Sequence, residues 1–240
     1  MSATGLYSAL SGAVAEGQAL EAVAANLANA STTAFRAQRL GFREVLVRTQ
    51  GRKEQRFVQT STITLDTTPG PVRFTGQSTD VALEGPGFLA VQTPAGPRYV
   101  RGGSMMRGPD GSLLTLGGHA LLGTDGRPLR IPPGAVEFGR RGEVLVEGQL
   151  VGRMQIVEFA RPETLRGEGS GLFASGPGNV PQAAGRTEVL SRHLEGANVN
   201  PLRAMTDVIV TSRHYEALHR LIETYREIDT TAARELATAT

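Results

Sequence analysis

PLRAMTDVIVTSRHYEALHRLIETYREIDTTAARELA, residues 201–237, is the stretch whose reading decides the fold. Its single proline stands first, behind Asn200, where a missing N–H costs nothing and asparagine caps a helix well. No glycine interrupts it. Alternate steps of three and four residues run through Val208, Thr211, Tyr215, Leu218, Ile222, Tyr225, Asp229, Ala232 and Leu236. That is a heptad seam, broken in character at Thr211 and Asp229. Leu202, Met205, Ile209, Leu221 and Ile228 widen the apolar surface. The pattern predicts one helix from Asn200 to about Leu236, roughly 55 Å long at 1.5 Å per residue. Such a stripe must be buried against something.

The other end of the chain offers a mate. Leu6, Leu10, Ala13, Gly17, Leu20, Ala24 and Leu27 follow an unbroken alternation of four and three, and the small residues in it let a second helix approach closely. Two readings stand: a helix pair packed on the chain's own core, or a surface shared between copies. The position of both seams at the extreme ends, with a different middle between them, favours the second. The expected fold class is mixed α and β, with long N- and C-terminal helices forming a coiled-coil-like pair and an inserted all-β central domain. Residues 1–50 read as an N-terminal helical segment and 51–71 as a linker or extended arm. Residues 72–195 read as the β domain and 196–240 as the C-terminal helical segment.

Between the ends the hydrophobic period changes. Asn26 to Thr33 is an Asn/Ser/Thr cluster whose side chains compete for backbone hydrogen bonds and stop the first helix. Arg39 to Val47 reads as a short helix resuming through Leu40, Val45 and Leu46. Phe57–Thr64 is strand-like, and Pro69-Gly70-Pro71 closes the arm. Strands are then expected at Phe88–Val91 and Arg98–Arg101 around TPAGP, at Val136–Phe138 and Val144–Val146 around GRRG, and at Val151–Phe159. Asp110-Gly111 and Asp125-Gly126 are turn signals. A Gly, Pro and Ser-rich return runs from Pro162 to Arg186, and Thr187–Leu194 leads as a strand to the last helix.

Composition narrows the chemistry. In 240 residues, 25 basic side chains face 23 acidic ones, so the charge is nearly balanced. The arginines are spread along the chain, and no nucleic-acid footprint follows from them. No cysteine is present, which excludes disulfides, thiolate catalysis and cysteine zinc sites. No run of 18 apolar residues offers a transmembrane segment. The start lacks a basic region followed by an apolar one, so export without a cleaved signal peptide is the expectation. His214 and His219 stand five apart, one step too far to stack two ligands on a helical face. Neither the G-x-S-x-G nucleophile spacing nor a complete dinucleotide fingerprint occurs. We therefore expect no catalytic residues, no metal and no cofactor.

These residues carry a resemblance. LYSALSGAVAEGQALEAVAANLANASTTAFRAQ resembles the N-terminal segment of bacterial flagellar rod and hook proteins, with its N-L-A-N-x-x-T-x-G-F pattern. Asn26, Leu27, Ala28, Asn29, Thr33, Phe35 and Arg36 match it, while Ala34 stands where the family usually has glycine. A positive φ there would disfavour alanine. STDVALEGPGFLAVQTPAGPRYVRGGSM resembles the family's strand–hairpin block through residues that include Asp80, Gly85, Gly87, Phe88 and Arg101. LEGANVNPLRAMTDVIVTSRHYEA is similar to its C-terminal signature, on Glu195, Asn198, Val199, Asn200, Met205, Ile209, Arg213, Tyr215 and Glu216. The blocks are most like the proximal branch of the basal-body rod protein family, with distal rod or hook subunits the alternative. A peptidoglycan-associated module is the remote one.

The resemblance implies a non-enzymatic axial subunit of the periplasm-spanning rod, self-assembling into the drive shaft for motility. Its implied partners are other rod subunits, copies of itself and the flagellar type III export apparatus. The expected subunit interface is Leu6, Leu10, Ala13, Leu20, Ala24, Asn26, Leu27, Asn29 and Phe35 at one end. At the other it is Asn198, Asn200, Met205, Val208, Ile209, Tyr215, Leu218, Ile222 and Tyr225.

Overall fold

The computed structural model describes residues 3–47 and 55–238, and the chain divides into two compact units. One comprises Met1–Ala28, Gln38–Ile63 and Asn200–Thr240; the other comprises Asn29–Ala37 and Thr64–Val199. Two terminal helices thus flank a β-rich middle, the mixed class expected.

The first unit contains α1 (Ala3–Ala28), the paired strands β1 (Gln38–Val47) and β2 (Gln55–Leu65), and α2 (Pro201–Thr238). Asn200 caps α2: its Oδ1 accepts the Arg203 N–H at 3.1 Å and its carbonyl accepts the Ala204 N–H at 2.9 Å. The helices run antiparallel, as three glycines show. A Cβ at Gly5 would lie 3.1 Å from the Tyr225 hydroxyl oxygen, one at Gly12 3.6 Å from Leu218, and one at Gly17 3.3 Å from Tyr215. Ala9, Ala13 and Ile222 are buried together, with Leu6 and Leu218 packed against them.

Residues Arg39–Val47 are not a helix. They belong to β1. Leu40 and Phe42 stand two apart, as do Val45 and Val47, and Gly41 costs a helix interior about 1 kcal/mol. The short window also fits a helical period, but the β-branched and aromatic content decides for the strand.

In the second unit the outward passage forms β3 (Val72–Phe74), β4 (Asp80–Glu84), β5 (Phe88–Thr93), β6 (Gly96–Val100), β7 (Gly102–Arg107), β8 (Leu113–Thr115) and β9 (Ala120–Leu121). A three-stranded meander follows, β10 (Val136–Phe138), β11 (Glu143–Val146) and β12 (Gln149–Arg153). The return adds β13 (Ile156–Glu158), β14 (Arg166–Gly167), β15 (Phe173–Ala174), β16 (Gln182–Ala183), β17 (Glu188–Ser191) and β18 (His193–Glu195). The main sheet runs β14-β15-β6-β5-β9-β8-β7-β4-β17, with β13 against β5 and β16. β18 pairs separately with β3.

Strand β5 shows why its sequence is a continuous apolar run. Leu89 and Val91 point into one core with Val81, Leu113, Leu121 and Met154. Phe88 and Ala90 point into a second, with Tyr99, Phe159, Leu165 and Phe173. Both faces of the strand are buried, so alternation with polar residues is absent. In the second core Phe88 meets Phe159 and Phe173 edge-on, with ring centroids 5.7 and 5.5 Å apart.

Two expected strands are each broken. Val151–Phe159 divides into β12 and β13, which enter different sheets. Thr187–Leu194 divides into β17 and β18 at Arg192, which adopts φ 64°. The DG turns form as expected: the Gly111 N–H donates to the Gly108 carbonyl at 3.0 Å, and the Gly126 N–H to that of Gly123 at 2.8 Å.

Candidate functional site

The expected interface residues fall into three groups. Leu6, Ala13, Leu218 and Ile222 are consumed by the packing of α1 on α2 within one chain. Tyr215 and Tyr225 lie over Gly17 and Gly5 in the same packing, and Leu20, Leu27 and Val208 are half-buried. Leu10, Ala24, Met205 and Ile209 are exposed. The face of α1 toward α2 is thus Gly5, Ala9, Gly12, Ala13 and Gly17, rotated from the seam read by strict heptad steps.

That rotation leaves larger side chains outward. Tyr7, Leu10 and Val14 follow each other at three and four residues on α1, each about half exposed or more. On α2 the same spacing links Leu202, Met205 and Ile209, with Leu202 77% exposed. Val210, Leu221 and Ile228 add a second exposed row. The polar residues on the helices have local uses: Glu16 Oε1 lies 3.0 Å from His214 Nδ1, and Tyr215 meets His219 edge-on. Among the described residues no helix is long and apolar enough to cross a membrane.

The remaining expected residues tie chain passages together. The Asn26 amide makes two bonds to Gln38, donating to its carbonyl and accepting its N–H, each at 2.8 Å. Asn29 begins the turn after α1: its carbonyl accepts the Thr32 N–H at 3.0 Å and its Oδ1 the Thr32 hydroxyl at 3.1 Å. Thr32, rather than the Thr33 matched from sequence, therefore carries this contact. Asn198 Oδ1 accepts the Ala37 N–H at 2.6 Å, while Nδ2 donates to the carbonyls of Asp66 and Thr68, both at 3.0 Å. The Asn198 N–H donates to the Phe35 carbonyl at 3.3 Å, and the Ala34 N–H to that of Glu195 at 2.7 Å. The outgoing and returning passages of the second unit are fastened to each other.

Beneath that fastening lies a charged group to which the sequence reading gave no role. Glu195, Arg36 and Arg101 are 1%, 4% and 2% exposed. Arg36 Nη2 lies 2.6 Å from Glu195 Oε1, which also accepts the Gly70 N–H at 2.9 Å. Arg101 Nη2 lies 3.4 Å from Glu195 Oε2 and donates to the Leu83 carbonyl at 3.1 Å. Its Nη1 donates to the Gly85 carbonyl at 2.9 Å and to that of Gly87. Burial pushes the Arg101 guanidinium below its ordinary pKa; Glu195 opposes this and Arg36 adds to it. The signal available in the sequence was the position of all three within family-like blocks.

Comparison with known proteins addresses both ends of the chain. A family model described as "Flagella basal body rod protein" matches residues 6–36, and one described as "Flagellar basal body rod FlgEFG protein C-terminal" matches residues 190–235. The flagellar basal-body rod protein FlgF of Escherichia coli K12 is 36% identical over 88% of each chain. FlgF of Caulobacter vibrioides is 30% identical over 96% of this chain and 97% of its own. The rod protein FlgG of Bacillus subtilis is 28% identical over 93% and 95%.

Terminal helices at either end of a β-rich middle, in a chain that aligns over most of its length with such relatives, define the class of flagellar axial structural proteins. The chain belongs to the flagellar basal-body rod protein family. It is a structural subunit of the bacterial flagellar rod, and its place is the basal body.

Proposed function

We propose that this subunit builds the proximal section of the rod, and that the exposed apolar faces of α1 and α2 are what it presents to neighbouring subunits. The observation carrying this is the exposure of Leu10, Val14, Met205 and Ile209 after the helices have packed on each other. Apolar rows along two helices are costly in water, and adjacent subunits are their natural cover. A head-to-tail contact that does not close into a ring then generates a helical shaft. Coiled-coil-like packing between neighbouring helix pairs would extend the helix packing already present within the chain. The proximal assignment rests on the higher identity and wide coverage of the FlgF relatives beside the FlgG ones.

The role needs no catalysis, cofactor or metal, and the relatives are structural proteins rather than enzymes. Passage through the flagellar type III export apparatus completes this reading.

Leu10→Asp combined with Ile209→Asp tests the assembly surface. Both positions face solvent in the lone chain, so the purified double variant should melt as the wild type does. Cells carrying it should form no rod and should not swim. Normal swimming would remove these faces from the assembly.

A further inference from the structure

The Arg36–Glu195–Arg101 group does not balance. Two guanidinium ions share one carboxylate, all three are almost wholly withdrawn from solvent, and one positive charge is left over. Arginine remains protonated in proteins, so the imbalance cannot be relieved by losing a proton. Backbone carbonyls of Leu83, Gly85 and Gly87 absorb part of it at Arg101. Arg36 Nη1 and Arg101 Nε have no hydrogen-bond acceptor, and Glu195 Oε2 has no hydrogen-bond donor. A buried charge without a counter-ion is among the most costly arrangements a fold can hold.

Both arginines line one cleft. It has a volume of about 130 Å³, and its other walls include Leu65, Thr67, Pro86 and Phe88. Among the described residues no acidic side chain lines it. The Arg101 guanidinium carbon also sits 5.4 Å from the centre of the Phe88 ring, which lines the same cleft. The guanidinium donors that no protein acceptor takes are Arg36 Nη1 and Arg101 Nε, and charge-assisted N–H donors of this kind are what an oxyanion accepts from.

We propose that this cleft binds one small oxyanion, of carboxylate or phosphate chemistry, on Arg36 and Arg101. The ligand supplies the missing negative charge and locks the passages at residues 36, 101 and 195 together.

Thermal melting of the full chain in sodium phosphate and in sodium acetate, against sodium chloride of matched ionic strength and pH, tests this. A ligand at ten times its Kd shifts the folding equilibrium about elevenfold, so phosphate or acetate should raise the Tm in a saturable way. Thr67→Glu, at the exposed rim, places a carboxylate at the cleft without touching the arginines. It should melt higher than the wild type in chloride and lose the response to added anion. Equal wild-type melting in all three salts overturns the proposal. So does a Thr67→Glu protein that gains nothing in chloride and keeps the full phosphate response. Sedimentation of the wild type separates the sources. A carboxylate presented by a second copy is displaced by phosphate, which shifts the protein to slower species. A free anion leaves sedimentation unchanged.

Discussion

At the scale of single residues, Ala34 is the position where sequence and structure meet most sharply. The family usually has glycine there, and Ala34 adopts φ 60° while remaining 2% exposed. A left-handed conformation costs an L-residue about 1–2 kcal/mol. Glycine would remove that strain, but it gives up a buried methyl worth about 0.8 kcal/mol and costs a further 0.4–1 kcal/mol or so in unfolded-chain entropy. The opposing contributions nearly cancel. Ala34→Gly should therefore melt within about 1 kcal/mol of the wild type, whereas the β-branched Ala34→Val should lose more than about 2 kcal/mol. Denaturant melts of the two variants check the order. The buried charges give a second ordering. Glu195→Gln leaves two guanidinium ions with no counter-charge and should cost about 3–5 kcal/mol. Arg36→Met leaves Arg101 and Glu195 matched one to one and should cost less. A reversed order would mean that the carboxylate, not the second arginine, is the group in excess.

At the scale of elements, the long C-terminal helix was fully legible, because a proline at its start, an asparagine cap and an unbroken apolar period all agree. Its partner was legible as a helix but not in its facing. Strict heptad steps include Leu10 and Ala24, which are exposed, whereas the contact with α2 runs through Gly5, Ala9, Gly12, Ala13 and Gly17 with Leu6 beside them, since close approach selects small side chains. The consequence can be measured. A methyl at Gly12 would meet Leu218 at an ordinary 3.6 Å, and alanine improves on glycine by about 0.8–1 kcal/mol in a helix. Gly12→Ala should therefore stabilise the protein by up to about 1 kcal/mol. At Gly17 a Cβ would already press Tyr215 at 3.3 Å, so Gly17→Leu should cost about 1–3 kcal/mol through overpacking. Circular dichroism melts of both variants decide it. The strand β1 was misread for a related reason: ten residues can satisfy both periods, and its β-branched and aromatic content, together with its pairing to β2, chooses between them.

At the scale of the whole molecule, the change of period between ends and middle revealed the class, and the turn dipeptides revealed much of the second unit. What the sequence hid were long-range charge pairs and the bends that divide strands. Arg192 at φ 64° has no turn signal of its own, and Arg36 meets Glu195 across a separation of 159 positions in the chain. This bears on where the β unit can be cut. A fragment of residues 72–195 lacks Arg36 and Gly70, both of which bond Glu195, and lacks the Asn198 ties to residues 37, 66 and 68. A fragment of residues 29–199 retains all of them. The longer fragment should therefore show the higher Tm; equal melting would place the stability of the unit wholly in its two apolar cores.

The antiparallel facing of α1 and α2 also sets a clock. Glu16 and His214 are partners across 198 positions, and Gly5 lies against Tyr225. At roughly 5–20 residues per second of synthesis, the first helix waits about ten to forty seconds before its mate exists. During that interval its contact face is bare, and a leucine-lined surface would invite premature association. A face of glycine and alanine has little to offer a wrong partner. The same small residues that admit α2 closely at the end keep that one face quiet until then, while Tyr7, Leu10 and Val14 stand on another.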